Sequence, residues 1–83
     1  MDNEITNKGG KKMKSKVKWF DDNKGFGFIE YKDNEDIFVH YSSIKQFGHK
    51  TLLEGQEVFF DLINTNKGYQ ARNVEVIKNY TNA

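Results

Sequence analysis

The chain has 83 residues, room for one domain with a modest core, which disfavours an enzyme with a deep, dry pocket. Its 13 basic and 12 acidic residues give a formal net charge of +1, far from the basic balance of proteins that hold duplex nucleic acid through its phosphates. It contains no cysteine and no apolar run long enough to span a membrane, so we expect a soluble, cytoplasmic protein without disulfides and without a membrane partner.

The N-terminal segment, residues 1–14, is expected to be a flexible lysine-rich tail. It is polar, contains Gly9 and Gly10, and lacks the periodicity of a strand or a helix. Residues 1–12 resemble an added segment, natural or artificial, and their removal is expected to leave stability unchanged. The lysines of this region indicate either a solvated tail or an arm that attracts phosphates.

After the tail, the sequence predicts five short strands separated by turn residues, at 16–21, 26–31, 36–41, 56–63 and 69–77. A single helical turn is expected at 42–45, where Ser42 is a good capping residue. Short, evenly spaced strands without a long helical pattern are typical of an all-β barrel or sandwich. We therefore predict one barrel domain at 15–78, followed by a C-terminal tail at 79–83.

The second and third predicted strands sort their side chains onto two faces. Strand alternation places Phe26 and Phe28 on one face of the second strand, with Gly27 and Ile29 on the other. The third strand, DIFVHY at 36–41, likewise separates Phe38 and His40 from Ile37 and Val39. Because a core requires the aliphatic side chains, the four rings are predicted to lie together on a solvent-facing surface. Such a surface suits single-stranded nucleic acid, whose unpaired bases stack on aromatic rings.

The order and spacing of three segments closely resemble those of bacterial cold-shock proteins. These segments are KVKWF (16–20), KGFGFI (24–29) and DIFVHY (36–41), and the last two are similar to the paired ribonucleoprotein motifs. The resemblance continues through KTL (50–52), EGQ (54–56), QA (70–71) and NV (73–74), and it covers roughly residues 15–77.

This resemblance implies a five-stranded antiparallel OB-fold barrel that acts as an RNA chaperone in the stress response. It implies binding of single-stranded RNA or DNA with a pyrimidine preference, regulation of translation or transcription, and no cofactor. A monomer is expected, with a dimer as the alternative. The nucleic-acid-binding residues implied by position are Lys18, Trp19, Phe20, Lys24, Phe26, Phe28, Phe38, His40, Tyr41, His49 and Lys67. Strict alternation from Val17 would turn Trp19 inward, so this placement requires a bend or bulge near the end of the first strand.

The chain departs from the family pattern at several positions near the edge of the implied site. His49 and Tyr41 replace the usual Phe, and Tyr69 replaces a common Pro, which predicts a looser loop before the fifth strand. Phe59 and Arg72 lie where small or polar residues are typical, and Phe47 is additional. Alternation directs residues 58, 60 and 62 inward, so Phe59 is predicted to be exposed and available for contact with another chain.

Two other classes of function compete with nucleic-acid binding as interpretations of this sequence. A peptide-binding β-barrel would also use exposed rings, and the near-neutral charge favours it, whereas the lysines flanking the rings do not. An enzyme is not expected, because no motif pairs His40 or His49 with a nucleophile. Two histidines without cysteine also make a poor zinc site, so no metal is expected.

Overall fold

The computed structural model describes residues 11–32 and 35–77, which form a five-stranded β-barrel. The strands are β1 (Lys11–Asp21), β2 (Phe26–Glu30), β3 (Asp36–His40), β4 (Glu57–Thr65) and β5 (Gly68–Val76), and a 3-10 turn at Tyr41–Ser43 follows β3. Within these two ranges there is no α-helix, and no helix is long and apolar enough to cross a membrane. The predicted all-β barrel is confirmed.

The barrel closes in the order β1-β2-β3-β5-β4. Four of its junctions are antiparallel, as expected, but β3 and β5 run parallel, with Phe38 opposite Gln70. A parallel bridge between Ile44 and Val74 continues this junction beyond β3. The barrel is therefore not wholly antiparallel, because β5 closes it against β3 with both strands running in the same direction.

The core contains the aliphatic side chains that alternation directed inward. Ile29, Ile37 and Val39 are fully buried, which confirms the predicted faces of β2 and β3. Val58 and Phe60 of β4 are also fully buried, while Phe59 between them is 41% exposed, as predicted. The remaining buried side chains are Val17, Ile44, Leu52, Ala71 and Val74.

The first strand begins earlier than the sequence predicted. Residues 11–16 pair with β4, from Lys11 opposite Leu62 to Lys16 opposite Glu57, and Met13 packs half-buried against the core. Residues 11–14 therefore belong to the barrel and not to the tail, and the expectation that residues 1–12 lie wholly outside the fold is wrong for Lys11 and Lys12. The rest of the predicted tails, at 1–10 and 79–83, lies outside the described residues.

A bulge in β1 supplies the bend that the placement of Trp19 requires. The register with β2 shifts between Val17 and Trp19, so Val17 is buried opposite Ile29 while Trp19 pairs with Phe28 and is 41% exposed. Because a bulge adds one residue to one strand, both side chains reach their different surroundings. The same bend carries β1 from its pairing with β4 to its pairing with β2.

The connection between β4 and β5 is tight, contrary to the looser loop expected from Tyr69. Thr65 and Gly68 are paired, and the Thr65 hydroxyl donates a hydrogen bond to the Gly68 carbonyl at 2.7 Å. Tyr69 lies in β5, and its ring packs edge-on against Tyr31 at 4.9 Å between centroids. This ring contact and the Thr65 hydrogen bond hold the turn without a proline.

Candidate functional site

Four aromatic rings form a contiguous surface, which we call the platform: Trp19 of β1, Phe26 and Phe28 of β2, and Phe38 of β3. The register of β2 and β3 places Phe28 opposite Phe38, with centroids 5.8 Å apart. Phe26 lies 5.7 Å from Phe38, and Trp19 meets Phe28 at 5.5 Å. The residues predicted from alternation are thus brought together, and the bulge in β1 adds Trp19 to them.

The platform rings are partly covered by one another. Phe26, Phe28 and Phe38 are half-buried rather than fully exposed, because each ring packs against at least one neighbouring ring. Gly27 permits the close approach of β1 and β2 beneath these rings, since a Cβ atom there would collide with the backbone of β1 at Trp19. The rings are consequently held in fixed positions while part of each surface remains accessible.

The platform continues into His40 and Tyr41 at the end of β3. His40 pairs with Phe26 across the strands, and its ring lies 4.5 Å from that of Tyr41. The backbone N–H of Ser42 donates to His40 Nδ1 at 3.2 Å and fixes the orientation of the imidazole. Tyr41 lies over Gly25, where φ is +77° and a Cβ atom would approach the Tyr41 ring to 2.6 Å. Gly25 therefore leaves space for the tyrosine ring.

A pocket of about 430 Å³ lies beside Tyr41, between the loop after β1 and the loop before β4. Lys24 and His49, both predicted site residues, line it together with Tyr41. His49 Nε2 contacts the Asp22 carboxylate oxygens at 2.8 and 3.0 Å and so bridges the two loops. The hydrogen bond from His49, with a smaller contribution from Thr51, holds the pKa of the Asp22 carboxyl below its ordinary value.

The remaining predicted cations lie on either side of the rings. Lys18 of β1 forms an ion pair with Asp36 of β3, at 3.2 Å between Nζ and Oδ2. Lys67 lines a second pocket of about 420 Å³ that includes Phe28 and Phe38 of the platform. Lys24 and Lys67 therefore place positive charge beside the rings, while the charge of Lys18 is paired with Asp36.

Phe20 is the predicted site residue that the structure places elsewhere. It pairs with Gly27 and packs half-buried against the core, on the other side of β1 from Trp19. Neighbouring residues of a strand point to opposite faces, and because the bulge turns Trp19 outward, Phe20 faces the core. Its assignment to nucleic-acid contact stays a prediction that the placement does not favour.

Three residues lie near the site whose role there was not predicted from the sequence. Asp22 and Asp36 bind His49 and Lys18 across 27 and 18 residues of chain, and no local pattern indicates such distant pairs. Gln70 lines the pocket beside Phe38, a position that the parallel β3–β5 register explains. Among residues 11–32 and 35–77, no group of three or more His, Cys, Asp or Glu side chains could hold a metal ion.

Comparison with known proteins identifies a family and individual relatives that this chain resembles. The family model for the 'Cold-shock' DNA-binding domain matches residues 13–77. The cold shock-like protein CspB of Bacillus cereus is 58% identical over 62 residues, which are 75% of this chain and 95% of that protein. The cold shock protein CspD of Bacillus subtilis (strain 168) is 54% identical over 59 residues, which are 71% of this chain and 89% of that protein.

A solved structure resembles the whole chain. The structure described as drosophila Unr CSD456 matches with a TM-score of 0.68 and 18% sequence identity. The match covers 100% of this chain and 34% of that larger one. At this identity the likeness supports the barrel fold alone.

Proposed function

Because the chain belongs to the 'Cold-shock' DNA-binding domain family, we propose that it binds single-stranded RNA or DNA by stacking unpaired bases on the platform. The observation that supports this most is the continuity of the rings, which reach from Trp19 across Phe28 and Phe38 at centroid distances of 5.5 and 5.8 Å. Every base has a π-face, so a run of accessible rings accepts successive bases with little dependence on sequence. Bases inside a duplex are already stacked and paired, and they cannot use such a surface.

The distribution of charge supports the same preference for single strands. The net charge of +1 is too small for strong binding driven by phosphates alone, so stacking must provide much of the affinity. Lys18, Lys24 and Lys67 lie at the margins of the rings, and we expect them to guide the sugar–phosphate backbone while the bases face the platform.

The proposed contact surface follows the predicted site, with Phe20 in a supporting position beneath it. Its members are Lys18, Trp19, Lys24, Phe26, Phe28, Phe38, His40, Tyr41, His49 and Lys67. The resemblance to cold-shock proteins extends the proposal to a monomeric RNA chaperone in the cytoplasm, with a pyrimidine preference and a regulatory effect on translation or transcription.

Titration of the Trp19 fluorescence tests the central proposal directly. Trp19 is the one tryptophan of the chain and lies on the platform, so a stacked base should quench its emission. Single-stranded oligopyrimidine RNA and DNA, and duplexes formed from the same strands, are titrated at two salt concentrations. Saturable quenching by single strands, with much weaker binding of the duplexes, is expected. Equal affinity for a duplex and its single strand would contradict stacking on the platform.

A further inference from the structure

A polar groove lies next to the platform, between β3 and β5. It has a volume of about 270 Å³, and its walls include Phe38 and His40 on one side and Gln70 and Arg72 on the other. Phe38 belongs to both surfaces, so the groove continues the platform without a gap. Serine hydroxyls from the 3-10 turn, Ser42 and Ser43, complete its polar lining.

Arg72 is the single arginine of the chain; the other 12 basic residues are lysines. A guanidinium group offers a planar set of N–H donors that matches the two oxygens of a phosphate, which a lysine ammonium does not. The position of this side chain in the groove is therefore a specific chemical feature, and not one more surface cation.

The acidic residue opposite Arg72 in the neighbouring strand is already engaged. Asp61 lies opposite Arg72 in the β4–β5 register. Its carboxylate accepts a hydrogen bond from Asn73 at 2.8 Å and pairs with Lys12 at 3.5 Å. In the part of the chain that the structure describes, Arg72 makes no ion pair, and its side chain is exposed. The guanidinium is thus free to bind an external anion.

His40 is held in place beside the groove. The Ser42 backbone N–H donates to His40 Nδ1 at 3.2 Å, and the Ser42 hydroxyl oxygen lies 2.8 Å from the same nitrogen. The orientation of the ring is therefore set within the protein before any ligand arrives. His40 is both the end of the platform and a wall of the groove, so a strand with a base on His40 passes beside Arg72.

We propose that the β3–β5 groove binds one phosphodiester group of the bound strand, with Arg72 as the residue that contacts it. This inference rests on the proposed function, and it adds a residue that the family resemblance does not assign to the site. The strand would leave the platform at His40 and cross β5, which lengthens the bound segment.

The test compares three variants in binding to a short oligothymidylate over a range of salt concentrations. Arg72→Gln is expected to weaken binding about tenfold, the size of one charge-assisted hydrogen bond, and to reduce the slope of log K against log salt by about 0.7. Arg72→Lys should keep most of the slope but recover only part of the affinity. Lys45→Gln is the matched control, because it removes the same charge from a side chain that is already paired with Glu75 at 3.0 Å.

Neutral linkages locate the contact on the ligand. Oligothymidylates carrying a single methylphosphonate at successive positions are expected to show one position at which the wild type loses affinity and Arg72→Gln does not. If Arg72→Gln binds like the wild type or like Lys45→Gln, or if no position behaves in this way, the groove is not a phosphate site while the proposed function stands. If the wild type binds no single strand, the proposed function fails and this inference fails with it. Because Arg72 is exposed, its replacement should leave the thermal midpoint unchanged. Unchanged midpoints exclude misfolding as the cause of any loss of affinity.

Discussion

Replacement of Phe38 by alanine separates a role in binding from a role in folding. Phe38 is the centre of the platform, with Phe26 and Phe28 at 5.7 and 5.8 Å. Because its ring is only half-buried, its loss should cost about 1–2 kcal/mol of unfolding free energy, from partial burial and two ring pairs. If bases stack on it, the affinity for single strands should fall by about 1–3 kcal/mol, or about 5- to 150-fold.

The matched control is Phe60→Ala, which removes a fully buried phenylalanine from β4. That change should cost about 3–5 kcal/mol of stability while the protein that remains folded binds with unchanged affinity. Urea unfolding gives the stability of each variant, and Trp19 fluorescence gives its affinity under conditions where it is folded. The reasoning is refuted if Phe38→Ala is as destabilised as Phe60→Ala and binds single strands normally when folded.

Three further changes test the local structure. Gly27→Ala should lower the unfolding free energy by about 1–3 kcal/mol, because the added Cβ collides with the Trp19 carbonyl; an unchanged urea midpoint would contradict this. His49→Phe removes a donor to Asp22, so the pKa of that carboxyl should rise towards its ordinary value, as measured by NMR of the carboxyl carbon. Because the pKa of Asp22 is lowered in the folded protein, its ionised carboxylate stabilises the fold at neutral pH, and this stabilisation is lost as the pH falls through the lowered pKa. In His49→Phe, the share of this stabilisation that comes from His49 should be absent. Met13→Ala should cost about 1–2 kcal/mol if residues 11–14 are part of the barrel, and nothing if they form a tail.

Much of the fold could be predicted because two strands separate their side chains so clearly. In β2 and β3 the aliphatic and aromatic residues occupy alternate positions, so burial of Ile29, Ile37 and Val39 determines which face the phenylalanines take. The bend at Trp19 was required only by the placement that the family resemblance implies, because strict alternation from Val17 would turn Trp19 inward. In β2 and β3, by contrast, local alternation and the requirement for an aliphatic core lead to the same arrangement.

The remainder depends on contacts between distant parts of the chain. Residues 11–14 have the composition of a tail, and only their pairing with β4 makes them a strand. Phe20 faces the core because the bulge that turns Trp19 outward also shifts its neighbour, and the residue pattern does not fix where a bulge begins. The contact between His49 and Asp22 joins two loops whose approach is set by the closed barrel.

The parallel junction of the barrel and its binding face share the same residues. Phe38 and Gln70 form the register pair between β3 and β5, and both line the groove on one side and the Lys67 pocket on the other. If this junction parted, the two walls of each depression would separate. A ligand that touches both strands can therefore occupy only the closed barrel, and by mass action it opposes local opening there. Binding of a strand and closure of the β3–β5 junction are therefore coupled equilibria, so that a bound strand stabilises the junction.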